Sequence, residues 1–312
     1  MKRLLIIALC AAALTASGCG SSTASMKSTK SGSSTGLIWI GRFGEGRVLV
    51  TDENRGLSGA ATFWADPETT GRRLGMLSLV PMIYEVKPAV WHRKRVLLVA
   101  RYPGDVIILR EADQRVAFRT GFYSAFSAEA LPDGALVMVN LAAEHKPGIM
   151  RVLSTETRHF ADYPVSAYGV AWDKVGNCLW VLADDAIRRY EYNFDAKNPA
   201  LTPRQSFALP AKNPCDLYPR AGRRELIVST AESVWTFNPE DGGFAPFGPV
   251  ADARGPLAVG EKDLNGRILY AFGWSPGGNA LCFANPRGMS QDDKVRLVRA
   301  RWDRLPEFTY GF

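Results

Sequence analysis

An apolar strand recurs at a nearly constant interval along this chain, and that repeat limits the available folds more than any other feature. The six copies are RVLVTD, RVLLVA, ALVMVN, CLWVLA, ELIVST and RILYAF, which begin at residues 47, 95, 135, 178, 225 and 267. Their starts are separated by 48, 40, 43, 47 and 42 residues. A period in the forties with several strands per repeat is typical of a β-propeller. The sequence therefore predicts an all-β, six-bladed β-propeller of four-stranded blades.

Each repeat shows the same internal order of segments. A short strand precedes the apolar one, a turn such as Pro132-Asp133-Gly134 joins the two, and a third strand and a more polar fourth follow. For the last repeat we assign VRLVRAR as the polar fourth strand. For the first repeat we assign LIWIGR, RVLVTD, AATFWAD and RRLGMLS in that order. Whether LIWIGR or the C-terminal PEFTYGF completes the last blade stays open at this point.

The apolar strands have apolar side chains on both faces, as in CLWVLA. Alternate side chains of a strand point to opposite faces, so a strand of this kind needs packing partners on both sides. Stacked blades supply them, and the charged fourth strands fit the exposed rim. No segment beyond the N-terminus has a sustained helical period, so we expect few helices.

The N-terminus has the pattern of an exported lipoprotein. Met1-Lys2-Arg3 is followed by the apolar LLIIALCAAALTA, and Ala16-Ser17-Gly18-Cys19 resembles a bacterial lipobox with Ala16 where Leu is commoner. The apolar stretch is short for a membrane-spanning helix. This resemblance implies a signal peptide over residues 1–18, cleavage before Cys19 and lipid on its thiol. An ordinary secretory signal with an incidental cysteine is the alternative.

The segment after Cys19 is typical of a flexible tether. GSSTASMKSTKSGSSTG, residues 20–36, has almost no apolar side chain and cannot offset its own ordering entropy. We therefore expect a lipidated cysteine and tether over 19–36 and the propeller over 37–312. The expected location is the cell envelope, attached to the membrane through lipid, and the outer membrane in a bacterium with two membranes.

Charge and cysteine content exclude some other classes of protein. The net charge is +7, but the four cations before residue 37 leave 34 Lys and Arg against 31 Asp and Glu, a net charge of +3. That balance does not indicate nucleic-acid binding. Cys178, Cys215 and Cys282 are too few and too widely spaced for a disulfide framework, and we expect Cys178 and Cys282 in the core.

The segments SAEALPDG, SAYGVAWD…LWVL…YEYN and CDLYP resemble a family of secreted bacterial propeller proteins classed as a domain of unknown function. The resemblance covers most of residues 37–302. It implies a six-bladed fold, no established reaction, and a histidine just before each of three inner strands. Those positions hold Phe126, Tyr168 and Cys215 here, whereas Lys87 and Arg254 match basic positions of the family. The resemblance therefore does not imply a site built from three imidazoles in this chain.

A ligand of a propeller is expected at one mouth of the central channel, where loops lead into the innermost strands. The predicted ring and its nearby carboxylates are Lys87, Phe126, Tyr168, Cys215 and Arg254, with Glu129 and Asp216. Cations and aromatic rings could hold an anionic or sugar-like ligand by charge and stacking. The alternative is that the aromatic side chains and the thiol fill space while the cations pair with Glu85, Glu129 or Asp216.

Metal and covalent chemistry have little support in the sequence. His92, His145 and His159 fall in separate loops and a rim strand, so we expect no metal site and no cofactor. A carboxylate-based calcium site at Glu129, Asp173 or Asp216 has no calcium-loop spacing. Cys215 has no histidine in its blade to activate it.

Three functional hypotheses follow. The favoured one is an envelope lipoprotein whose propeller acts as a binding or scaffold module for a carbohydrate or a protein. The second is a propeller enzyme acting on a carbohydrate or lactone, with Lys87 and Arg254 beside Glu129 or Asp216. The third is a degenerate relative whose site was lost with the histidines. An open cavity lined by Lys87, Arg254 and a carboxylate would favour the enzyme, whereas a mouth filled by Phe126 and Tyr168 would favour an inert or protein-binding propeller.

Overall fold

The structure of the chain is a computed structural model. It describes residues 36–42, 46–67, 82–102, 104–142, 146–263, 266–272, 280–292, 295 and 297–311. The expected signal peptide, Cys19, nearly all of the tether and the segment RRLGMLS lie outside the described residues.

Within those ranges the strands form six antiparallel four-stranded sheets, named here blades 1 to 6. Blade 1 contains β1 (Leu37–Arg42), β2 (Arg47–Asp52) and β3 (Ala61–Ala65), completed by β24 (Leu297–Trp302). Blade 2 contains β4 (Met82–Trp91), β5 (Lys94–Tyr102), β6 (Asp105–Arg110) and β7 (Val116–Gly121). Blade 3 contains β8 (Ala125–Ala130), β9 (Leu136–Asn140), β10 (Met150–Leu153) and β11 (Phe160–Tyr163).

The second half of the ring repeats the pattern. Blade 4 contains β12 (Ala167–Asp173), β13 (Cys178–Ala183), β14 (Ala186–Tyr192) and β15 (Leu201–Ala208). Blade 5 contains β16 (Pro214–Pro219), β17 (Leu226–Thr230), β18 (Val234–Phe237) and β19 (Phe244–Pro246). Blade 6 contains β20 (Ala258–Glu261), β21 (Ile268–Phe272), β22 (Ala280–Ala284) and β23 (Gly288–Gln291). A 3-10 turn, Gly248–Val250, and a short helix, α1 (Glu307–Tyr310), complete the described elements.

The six sheets form a six-bladed β-propeller, as the repeat predicts. Clusters of buried apolar side chains lie between successive blades, and CLWVLA of β13 is buried at every position. Cys178 and Cys282 are buried there, as expected. The outermost strands are the most exposed, as in β15 and β23. Both faces of the inner strands in each blade are therefore covered by neighbouring blades. This is why these strands lack a simple alternation of apolar and polar residues.

Ring closure differs from the sequence assignment. The segment VRLVRAR does not form the fourth strand of blade 6, which is β23. It contributes instead to β24, which pairs antiparallel with β1 and is the innermost strand of blade 1. LIWIGR and RVLVTD are consequently the second and third strands of blade 1, one place later than assigned. The two arginines in this strand suggested a position at the exposed rim. In the structure, carboxylates in the channel neutralise their charges.

Candidate functional site

Six inner strands surround the central channel and run in the same direction. They are β4, β8, β12, β16, β20 and β24. We call the end where they begin the entry mouth and the end where they finish the exit mouth. Side chains at matched positions on these strands form successive layers down the channel.

The first layer sits on a series of β-bulges. The pairing of four inner strands with their neighbours skips one residue each, at Tyr84, Phe126, Tyr168 and Cys215. The pairing of β24 with β1 shifts at the equivalent place, next to Val298. A bulge re-aims the extra side chain and often lies beside a functional site. Five of the six inner strands thus have this irregularity, whereas β20 of blade 6 pairs with β21 without a shift. In blades 2, 3 and 4 the bulged residue is an aromatic one.

Aromatic rings pack against one another in this layer. The centroids of Tyr84 and Phe126 are 5.0 Å apart with tilted planes, and those of Phe126 and Tyr168 are 5.8 Å apart edge to face. The guanidinium of Arg299, which belongs to the next layer down the channel, lies 5.2 Å from the ring centroid of Phe126. All three aromatic side chains are half-buried. Phe126 and Tyr168 thus meet at the mouth, which is the outcome that favours an inert or protein-binding propeller over an enzyme.

The next two layers are charged. The residues one position after a bulge include Glu85, Asp216 and Arg299. The residues three positions after a bulge include Lys87, Glu129 and Arg301. Each of these six residues is at most 5% exposed. Three cations and three carboxylates therefore occupy these layers, which have no net formal charge.

Ion pairs join these charges across the channel. Nε of Arg301 lies 3.1 Å from Oε1 of Glu85, and its Nη1 lies 2.6 Å from Oδ2 of Asp216. Arg299 also pairs with Asp216. Burial alone would raise the pKa of Asp216, but the two guanidinium groups outweigh that effect and lower the pKa. Asp216 is consequently held as a carboxylate, and Arg301 stays charged because Asp216 and Glu85 raise its pKa against the effect of burial.

Lys87 lies deeper than predicted. Its ammonium donates to Oε2 of Glu129 at 3.0 Å and to the carbonyl of Val170 at 3.1 Å. The strand β4 begins at Met82, well before the segment PAVWH that suggested it, so Tyr84 takes the mouth position instead. The sequence analysis did not identify Tyr84. In blade 3, Glu129 lies three residues after the bulge residue Phe126. The same count back from Lys87 would have identified Tyr84 in blade 2.

The C-terminal segment lies across the exit mouth. Phe308 of α1 packs with Ala171 and Leu217, and its carbonyl accepts from the backbone N–H of Lys174 at 3.0 Å. The hydroxyl of Tyr310 reaches into the channel and donates to Oε1 of Glu129 at 3.2 Å. The described part of PEFTYGF, residues 306–311, therefore does not complete a blade, and it covers the end of the channel opposite the aromatic layer.

Two other predicted site residues are unsuited to chemistry at the mouth. Arg254 is exposed on the loop before β20 and does not meet Lys87. Burial, the largest effect, raises the pKa of the Cys215 thiol to about 11 although the charge of Arg299 opposes it. A thiol of that pKa is protonated at neutral pH and is a poor nucleophile. The arrangement that the enzyme hypothesis required, with Lys87, Arg254 and a carboxylate around an open cavity, is not formed.

The other residues considered for metal binding are separated or already engaged. Among the described residues, no three His, Cys, Asp or Glu side chains are grouped to hold a metal ion. His92 and His159 are exposed in different blades, and His145 lies outside the described residues. Asp173 is fully buried and pairs with Nη2 of Arg224 at 3.0 Å. In the described part of the chain, no helix has the length and apolar character needed to cross a membrane.

A ring of six blades with a charge-paired channel, an aromatic entry mouth and a covered exit defines the chain as a β-propeller domain. The model of a family of unknown function, DUF6528, matches residues 77–241. That match covers more than half of the 312 residues, and the chain belongs to this family. The resemblance noted from the sequence is thereby confirmed for a propeller domain of unknown function.

Solved structures share the fold at low sequence identity. The extracellular domain of the hybrid two-component system BT4673 from B. thetaiotaomicron superposes with a TM-score of 0.51 at 13% identity, over 84% of this chain and 34% of that one. The chain thus spans about a third of the length of that domain. A chain of the mitotic checkpoint complex gives a TM-score of 0.52 at 10% identity, over 93% and 92% of the two chains. No curated protein matches the chain.

Proposed function

We propose that this chain is a lipid-anchored binding module of the cell envelope that takes its ligand at the entry mouth and catalyses no reaction. The observation that carries the proposal is the pairing of all six charged side chains in the two layers below the mouth with one another. Because those groups are buried and engaged, they are not free to act as acid, base or nucleophile. The half-buried rings above them are the surface available to a ligand.

The aromatic substitutions support binding rather than chemistry. Two of the positions where the family resemblance implies histidine hold Phe126 and Tyr168, and the third holds Cys215, whose thiol is protonated at neutral pH. Rings provide contact area and stacking without proton transfer. The partner that fits these features is a carbohydrate or a protein.

The binding proposal is tested by thermal-shift measurements on the full chain against neutral sugars, uronates and divalent metals. We expect at least one compound to raise the melting temperature, since a ligand of the folded state alone stabilises it. The shift should vanish in the variant Phe126→Ala/Tyr168→Ala and persist in Phe160→Ala, which removes an exposed ring on the outer strand β11. Turnover of the stabilising compound by the chain would contradict the proposal.

The anchor proposal rests on the segment Ala16-Ser17-Gly18-Cys19 and the polar stretch after it. Expression in a bacterium fed an alkyne-labelled fatty acid should label the chain and place it in the membrane fraction. Cys19→Ala should abolish both, whereas Cys215→Ala should change neither. Label retained in Cys19→Ala, or an unlabelled chain of the original sequence, would contradict lipidation.

A further inference from the structure

The aromatic rings of the entry mouth continue outward along blades 2 and 3. Tyr84 contacts Tyr102 edge to face, with ring centroids 6.1 Å apart. Tyr102 is the last residue of β5, and Tyr123 lies in the loop that leads into β8. We call the five rings the aromatic track; its members are Tyr168, Phe126, Tyr84, Tyr102 and Tyr123.

The outer end of the track, Tyr123, has an exposed ring and a hydrogen-bonded backbone. The side chain of Tyr123 is 46% exposed. Its carbonyl accepts a hydrogen bond from Nδ2 of Asn140 at 2.8 Å, and Oδ1 of Asn140 accepts from the N–H of Ile149 at 2.6 Å. Nζ of Lys146 lies 3.9 Å from the Tyr123 ring centroid. Because the backbone at Tyr123 is held by hydrogen bonds, a ligand that stacks on the ring needs to order the side chain and not the loop.

The chemistry of the track matches a sugar. Four of its five rings are tyrosines, each with an apolar face and a hydroxyl that can donate and accept. A pyranose ring has C–H groups on its face and hydroxyls at its rim, so both of its surfaces find a counterpart. Burial above all raises the pKa of Tyr84 to about 12 and also raises the pKa of Tyr102, so these two phenols remain neutral in the physiological range.

Charge favours a neutral ligand. The two layers beneath the mouth have three cations and three carboxylates, all paired, and Lys146 is already placed over Tyr123. An anionic polymer is held by several unpaired cations, as nucleic-acid binding shows. The five residues of the track are uncharged, and the exposed cation Arg254 lies on the loop before β20 rather than among them. Neutral sugars therefore fit the track better than uronate chains or nucleic acids.

The surroundings of the track favour a sugar over a protein partner. Among the described residues, the large apolar side chains with high exposure are Val116, Tyr123, Phe160, Val175, Phe194 and Met289. Of these, Tyr123 alone lies at the entry end, by its place between an outer strand and the start of an inner one. A protein interface of standard size has a contiguous apolar core around its anchors. This face instead provides one exposed ring, Tyr123, beside a group of half-buried rings that pack on one another.

We propose that the aromatic track binds a strand of neutral pyranose sugars, which runs from Tyr168 at the mouth to Tyr123 at the rim. This inference rests on the proposed binding function and specifies its ligand class. The sugar faces stack on the rings, and the sugar hydroxyls exchange hydrogen bonds with the phenols.

Affinity electrophoresis and calorimetry of the full chain test the inference with β-1,4-linked hexaoses of glucose and of mannose, and with hexagalacturonate as the anionic probe. We expect binding of at least one neutral hexaose and weaker or no binding of hexagalacturonate. Tyr84→Ala and Tyr123→Ala should each weaken binding about tenfold, which corresponds to about 1.4 kcal/mol.

Phe160→Ala is the matched control for Tyr123→Ala. Its ring is 47% exposed, and the guanidinium of Arg151 lies 3.8 Å from its centroid, so it reproduces the exposure and the cation of Tyr123 away from the track. This variant should bind as the original chain does. Tyr123→Phe should retain most of the stacking and lose only the hydroxyl contribution.

The outcomes separate the two levels of the proposal. Neutral hexaoses that bind equally well to Tyr84→Ala and Tyr123→Ala would overturn the track while leaving a sugar-binding protein. Failure of both neutral hexaoses, with another ligand lost in Phe126→Ala/Tyr168→Ala, would overturn the sugar inference and leave the binding module in place. Failure of every probe at the mouth would overturn both.

Discussion

Asp216 is the carboxylate on which the channel charges converge, since Arg299 and Arg301 both bind it and the N–H of Val259 donates to it at 3.1 Å. Two arginines beside one fully buried carboxylate are stable only while that carboxylate is ionised. Taking away one partner of such a cluster leaves uncompensated buried charge, which costs about 3–5 kcal/mol. The acid stability of the molecule should therefore depend on this residue.

Asp216→Asn should lower the free energy of unfolding by about 3–5 kcal/mol at neutral pH. The folded pKa of Asp216 is below its unfolded value of 3.8, so its contribution is fully present above that pH and is lost as the pH falls through the folded pKa. Urea unfolding between pH 3 and pH 7 should show this acid loss in the original chain and a flatter profile in Asp216→Asn. Asp184→Asn, an exposed turn position, should leave the profile unchanged; the same acid loss in Asp216→Asn would refute this role.

Cys215 should be slow to alkylate despite its place at the mouth. Its pKa of about 11, against 9.0 for an ordinary thiol, leaves about a hundredfold less thiolate near pH 8. Iodoacetamide labelling followed by mass spectrometry should give a rate that rises steadily up to about pH 11. The urea-unfolded chain is the control and should label about a hundredfold faster at pH 8. Equal rates in the folded and unfolded chains would contradict the stated protonation of this thiol.

At the scale of elements, β24 and α1 determine how the two ends of the channel are built. Strand β24 brings two arginines into the channel, and α1 covers the exit mouth with Phe308 and Tyr310. Both elements come from the C-terminal part of the chain. The C-terminal residues therefore close the ring and direct access to the opposite mouth.

Tyr310→Phe should lower the free energy of unfolding by about 1–3 kcal/mol, because it removes the donor to buried Glu129 and leaves a carboxylate oxygen without that bond. Thermal or urea unfolding measures the change. Tyr270→Phe is a suitable control, since no hydroxyl partner of Tyr270 is found among the described residues, and it should cost less than half as much. Equal effects of the two variants would show that the Tyr310 hydroxyl does not tie α1 to the channel.

The repeat was enough to predict the fold class, the number of blades and most strands, because burial on both faces follows directly from the apolar pattern. It was not enough to predict ring closure. Arg299 and Arg301 make β24 polar, and polarity indicates a rim strand unless the carboxylates that neutralise it are known. Those carboxylates come from blades 2 and 5, more than eighty residues away in sequence, and no local pattern connects them.

The positions of the candidate-site residues could be predicted only in part, because some of them also depend on contacts distant in sequence. Phe126, Tyr168 and Cys215 do share a layer, because their segments align well between blades 3, 4 and 5. Lys87 was misplaced because β4 is longer than its neighbours and its mouth residue, Tyr84, precedes the segment that aligned. Bulges shift register by one residue and leave no reliable mark in a single sequence. Tyr102 and Tyr123 belong to other elements and could be joined to the site only by the fold.

At the scale of the whole molecule, the account depends on a closed ring whose last strand lies innermost in the first blade. Only that closure brings Arg301 to Glu85, which is 216 residues away in sequence, with Nε and Oε1 3.1 Å apart. If the ring is closed otherwise, the channel keeps unpaired carboxylates. The argument for a charge-paired channel beneath an aromatic binding mouth would then lose its basis.

A double-mutant cycle on this pair tests the closure most directly, with Glu85→Gln, Arg301→Gln and the double variant compared by urea unfolding. Residues in contact show coupling of roughly 0.5–3 kcal/mol, whereas distant sites add to within about 0.5 kcal/mol. The closed ring predicts a double variant that is less destabilised than the sum of the single variants by at least about 1 kcal/mol. Simple additivity of the two changes would contradict it.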